Sequence, residues 1–193
     1  MSLLIQKIQI LLLLLLLGKM QGKKLNLGCG AKKLEGFVNI DFNNIFKPDV
    51  VHDLNKQLPF SDDSVSEIRV EHVLSYLDDI NRFFKDIYRV CKNDAKIMIA
   101  VPHFSYGFVD PNHKRGFSYG FLNFVQDYTK TRFKINSIRF RWLRQPEKYP
   151  LMLRLVGPVV NLFANLHKGL CERVWCYWVG GFEEVFFELR VIK

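Results

Sequence analysis

The sequence predicts an α/β fold built on one sheet, and three patterns carry that reading. Short apolar runs end repeatedly at glycine or aspartate: Lys24 to Leu27 at Gly28, Phe37 to Ile40 at Asp41, and Asp49 to His52 at Asp53. A helical period follows from Val73 to Cys91, with Leu77, Ile80, Phe83, Phe84, Ile87, Tyr88 and Cys91 recurring on one side. Two late segments, Ile135 to Trp142 and Glu184 to Val191, alternate like strands with two unlike faces. Strands, a helix and further strands in this order read as an α/β sheet with an antiparallel end.

The remaining elements fall between these. Val65 to Val70 reads as a fourth strand after the turn-rich Gln57 to Ser64, and Ala95 to Val101 as a fifth, stopped by Pro102. Leu151 to Trp178 reads as helical, broken near Gly157-Pro158, within an insertion over residues 145–181 between the last two strands. Residues 1–22 are predicted to hold an apolar helix and 23–193 a single domain. The segment Ala31 to Gly36 is too short for a crossover helix, so Leu3 to Leu17 is expected to cover the surface that such a helix would cover. At about 22 Å, that stretch is shorter than the roughly 30 Å core of a bilayer. It packs on protein, touches a membrane surface or is a removed signal.

The chain has 193 residues, 49% of them hydrophobic, which supplies one full core and excludes a disordered chain. Its net charge is +9, and the excess is local: eight basic residues and one acid, Glu147, lie between Lys130 and Arg154. Such a field attracts nucleic acid, anionic lipid or a phosphorylated small molecule alike. The four cysteines form no CxxC pair and supply no compact metal cluster with histidine, and their usage points to a reduced, cytoplasmic setting.

Gly28-Cys29-Gly30 follows the first strand, where a backbone lacking Cβ lets a ligand approach and the strand ends form a crevice. It is not the dinucleotide fingerprint, since Lys33 stands where the third glycine belongs and Asp41 comes too early. Asp41 suits vicinal ribose hydroxyls and Asp53 the amino group of an adenine. Each alone is equally a loop cap.

Leu25-Asn26-Leu27-Gly28-Cys29-Gly30, Asn39-Ile40-Asp41, His52-Asp53-Leu54, Leu58 to Ser64 and Glu71-His72-Val73-Leu74 together resemble the class I S-adenosylmethionine-dependent methyltransferases. The nearest group is the short type 11-like proteins, often associated with glycan biosynthesis. The resemblance implies a Rossmann-like sheet of seven strands with the last antiparallel, and S-adenosylmethionine as cofactor. It assigns Gly28 and Gly30, with Leu27 and Cys29 beside them, to the cofactor turn, Asp41 to the ribose and Asp53-Leu54 to the adenine edge. Glu71-His72 would lie near the methyl-transfer opening. Ser66-Glu67 replaces the common aspartate of the fourth strand, and Ser75-Tyr76 stands where Glu-His is frequent.

Methyl transfer to oxygen calls for a base aligned behind the acceptor. His103, after the fifth strand, and His113 are candidates, with Asp110 to orient either or to contact the acceptor. Strand-end capping and turn stabilisation are the plain alternatives for the same residues. Tyr106, Phe108, Phe117, Tyr119, Phe121, Phe124 and Tyr128 form either a pocket wall or ordinary core. The expected partner is a small-molecule or glycan-precursor acceptor. Peripheral membrane contact is the second expectation, and nucleic acid, with RNA methylation, the third. A non-catalytic membrane-associated module of the same fold is the remaining alternative.

Overall fold

The computed structural model describes residues 22–106, 109–178 and 180–193. Seven strands form one sheet: β1 (Lys23–Leu27), β2 (Val38–Asp41), β3 (Val50–Val51), β4 (Val65–Glu71), β5 (Cys91–Pro102), β6 (Phe133–Arg141) and β7 (Glu184–Val191). Their order across the sheet is β3-β2-β1-β4-β5-β7-β6. β1 to β5 pair in parallel, while β7 runs antiparallel to both β5 and β6. The order reverses at β1 and β4, so the carboxyl ends of these strands open into a crevice.

One face of the sheet is the core. Leu25, Leu27, Ile68, Val70, Ile97, Ile99, Phe187 and Leu189 have no solvent exposure, as expected where strands are roofed by helices. The roof is α1 (Ile80–Val90) and α2 (Phe121–Thr129). Phe83, Phe84, Ile87 and Val90 of α1 point inward at helical spacing. Phe84 meets Phe121 and Phe133 edge to face, and Phe121 meets Phe187. The other face is half-buried and charged, with Lys24 paired to Glu67 at 3.1 Å and Lys96 to Glu188 at 3.2 Å.

The helical period predicted from Val73 starts only at Ile80. Asp79 is the N-cap, its side chain accepting the Arg82 N–H at 2.9 Å, and this stops the helix from extending backward. The preceding segment is thereby left as a loop over the strand ends. The buried Asp86 accepts the Leu58 N–H at 2.5 Å, and the Arg89 guanidinium donates to the Leu58 and Phe60 carbonyls. These bonds tie the turn-rich loop before β4 to α1.

The predicted break at Gly157-Pro158 is absent: α3 (Leu151–Leu166) runs through it. Pro158 costs the bond its missing N–H would have made. Asn161 and Asn165 anchor the helix beyond it, accepting the Trp142 and Phe140 N–H groups at 2.7 and 2.8 Å. Short helical turns continue from Lys168 to Trp178. Among the described residues no helix is long and apolar enough to cross a membrane. The expected helix at Leu3 to Leu17, its covering role, and Phe108 lie outside the described residues.

Candidate functional site

The turn after β1 is held open by backbone conformation. Gly28 and Gly30 both have positive φ, at 66° and 49°. The two glycines are needed for different reasons. A Cβ on Gly28 would lie 2.2 Å from Val73 Cγ2, so the site demands glycine for packing alone. A Cβ on Gly30 would meet no protein atom within 4 Å, so the space above that residue is free for a ligand.

Asp41 fixes the turn from the end of β2. Its Oδ2 accepts the Gly30 N–H at 2.8 Å, and its Oδ1 accepts the Asn43 N–H at 2.8 Å. Each oxygen keeps lone-pair capacity for a further donor. Asp53 sits past β3, its Oδ1 accepting the Asn55 N–H at 2.9 Å. Glu71, at the end of β4, pairs with Lys32 at 2.6 Å.

These residues share a cavity of about 760 Å³, within the range of small-molecule sites. Gly28, Gly30, Asp41, Asp53, Leu54, Glu71 and His72 all line it. Leu27 and Cys29 do not. Leu27 is fully buried in β1, and Cys29 contributes backbone to the turn, its N–H donating to the Ile40 carbonyl at 3.0 Å. Burial, and then the Asp41 carboxylate, push the Cys29 thiol above its ordinary pKa, so it is a neutral packing group.

A second cavity, of about 560 Å³, adjoins the first and shares His72, Tyr76 and Asp110 with it. His113, Arg144, Lys148, Tyr149 and Glu183 complete much of its wall. Tyr76 donates to Asp110 Oδ2 at 2.7 Å, and His113 Nε2 stands 3.1 Å from the Tyr76 hydroxyl. Burial, then the bond to Asp110, push the Tyr76 hydroxyl up to about 12, so it stays protonated. The bond from Tyr76, then that from the Asn112 N–H, hold the Asp110 carboxyl below the usual range.

His72 occupies the seam. It has a left-handed backbone, φ 54°, which turns its side chain off the end of β4, and its Nε2 lies 2.7 Å from Glu184 Oε2. Glu184 is 3% exposed and also pairs with Arg141 at 2.8 Å. Burial acts to raise its pKa, but the His72 bond and then Arg141 outweigh it and hold the carboxyl below the usual range.

His103 does not reach either cavity. Its side chain has no exposure, Nδ1 stands 2.6 Å from the Ser105 hydroxyl and Nε2 stands 3.2 Å from Glu172. Phe104, Phe140 and Phe182 surround the ring. The expectation of a base at His103 is therefore corrected: both nitrogens are spent inside the core, and a proton taken there has no path from an acceptor. Phe117 is likewise core, whereas Tyr106 lines the second cavity. Arg144, Glu183 and Glu184 carry no local motif, while Tyr76 stands out only as a departure from the resembled pattern. Only the tertiary pairing of β5 with β7 brings Glu184 beside the end of β4.

Residues 25–99 match the profile of the family described as a methyltransferase domain. The seven-stranded sheet around this segment is that of a Rossmann-like class I methyltransferase fold. No curated protein sequence matches it. Among solved structures, a SAM-dependent methyltransferase from Archaeoglobus fulgidus superposes with a TM-score of 0.59 at 19% identity, covering 89% of this chain and 87% of that one. A protein from Galdieria sulphuraria described as a sarcosine dimethylglycine methyltransferase gives 0.58 at 13%, covering 97% and 85%. The [4+2]-cyclase SpnF also gives 0.58 at 13%, covering 89% and 76%. At these identities the likeness is one of fold, and the cyclase marks how far chemistry varies on it.

Proposed function

We propose that the chain transfers a methyl group from S-adenosylmethionine to an oxygen of a small anionic acceptor, a phosphorylated sugar or glycan precursor. The observation that carries this reading is the pair of adjoining cavities meeting at His72. The first fits the cofactor by its own chemistry: open space above Gly30, two carboxylates at successive strand ends, and, among the described residues, no lysine or arginine lining it that would select a pyrophosphate. Asp41 would hold the ribose, Asp53 and Leu54 the adenine edge, and Gly28 to Gly30 the amino-acid end. The cofactor supplies an activated methyl on a cationic sulfur.

The chain's own residues supply positioning and proton removal. Arg144 and Lys148 suit an acceptor phosphate, and Glu183 and Asp110 suit its hydroxyls. With Nε2–H donating to Glu184, His72 keeps a lone pair on Nδ1 for the acceptor hydroxyl proton. Glu184 stays ionised and stabilises the imidazolium as it forms.

The test is methyl transfer from labelled S-adenosylmethionine to a panel of sugar phosphates, nucleotide sugars and RNA. Turnover on a phosphorylated sugar is expected, with His72→Asn lowering kcat at least roughly a hundred-fold, as loss of a general base does, while cofactor affinity changes little. Turnover on RNA alone overturns the acceptor class. A fully active His72→Asn overturns the base.

A further inference from the structure

We propose that α3 is an interfacial helix that seats the chain on an anionic lipid bilayer. The helix is built inside out for a water-soluble protein. Its inward side is small or polar: Gly157, Val160 and Ala164 are buried, and Asn161 and Asn165 bind the outer edge of β6. Its bulky apolar residues point away from the protein, with Met152 77%, Leu155 69%, Leu162 60% and Phe163 63% exposed.

These outward side chains, with Leu151, Val156, Val159 and Leu166, occupy one unbroken arc of roughly 140° on a helical wheel. No acid or amide interrupts it. Tyr177 and Trp178, in the helical turns that follow α3, are 74% and 84% exposed and are the residue types that settle at a headgroup boundary. A contiguous apolar surface of this kind marks an interaction site rather than scattered surface leucines.

Charge selects the occupant. Arg144, Lys148, Arg154, Lys168 and Arg173 flank or interrupt the segment, against one exposed acid, Glu147, the other acid, Glu172, being buried. A second copy docked by the same helix would bring two excesses of positive charge together, whereas anionic headgroups neutralise them. At 16 residues and about 24 Å, α3 lies along the interface and does not span. The proposal does not depend on methyl transfer. Docking would also hold the cavity lined by Arg144 and Lys148, which immediately precede α3, near the phosphate layer.

The experiment is co-sedimentation of the full chain with phosphatidylcholine vesicles, with and without phosphatidylglycerol, beside the double variant Leu155→Glu/Leu162→Glu. Both positions are exposed, so the variant keeps its fold, checked by an unchanged thermal melt. The wild type is expected to pellet with the anionic vesicles and far less with the neutral ones. The variant should partition at least about ten-fold more weakly, the loss of one buried leucine or more. Three results overturn the proposal: a wild type left in the supernatant, a variant that pellets equally, and a salt-independent dimer that the variant converts to monomer.

Discussion

Replacing Asp41 by asparagine tests the turn and the cofactor cavity together. In the wild type, Oδ1 and Oδ2 each accept a backbone N–H at 2.8 Å, from Asn43 and Gly30. Asparagine has one oxygen and one NH2 group in their place. Whichever way the amide lies, NH2 confronts one of the two N–H donors. The site is 6% exposed, so water does not easily replace the lost acceptor. Loss of a hydrogen bond from a partly buried N–H to a charged group corresponds to about 1.5–3 kcal/mol. In a domain of this size that lowers Tm by roughly 4–10 °C. If the same carboxylate also receives the ribose hydroxyls, affinity for S-adenosylhomocysteine falls by roughly ten- to a hundred-fold. Calorimetry and a thermal melt on the same samples separate the two effects. A lower Tm with unchanged Kd would confine Asp41 to holding the turn, and unchanged values of both would refute the hydrogen-bonding argument itself.

The two turn glycines should part company under the same assays. Gly28→Ala drives a methyl into Val73 and should lose at least about 1–2 kcal/mol of stability. Gly30→Ala carries only the backbone penalty, about 1 kcal/mol, yet should abolish measurable cofactor binding; equal binding by the two variants contradicts this. Glu184 predicts an acid limb to stability. Its folded pKa lies below the unfolded value, so its contribution is present above the ordinary carboxylate range and is lost as pH falls through the folded value. Urea midpoints from pH 7 to 3 should fall more steeply for the wild type than for Glu184→Gln, and parallel curves would exclude that contribution.

Much of the first cavity was legible along the chain because it is assembled locally. Each of three strand ends carries its own signal, a short run closed by Gly28, Asp41 or Asp53, and parallel pairing of neighbouring strands brings those ends to one edge without further instruction. The second cavity was not legible in that way. His103 and His72 are both histidines at the carboxyl end of a strand, and nothing in their immediate neighbours separates them. The difference is that Phe140, Phe182 and Glu172, from 37 to 79 residues further on, close over His103, whereas a left-handed φ turns His72 into the seam beside Glu184. The extent of α1 shows the same limit. Hydrophobic periodicity ran on from Val73, but the Asp79 cap is a geometric event that apolar spacing does not register.

By itself the sequence determined the order of the strands and their approximate positions, apart from the start of β5, with the glycine turn and the carboxylates at the ends of β2 and β3, because those depend on period-two burial and on residues a few positions apart. Tertiary structure decided which histidine meets a cavity, which acids stay ionised and which side of α3 faces out. Burial and pairing between distant segments are set by how β7 and the helical segment before it close on the sheet, and no local pattern encodes that closure.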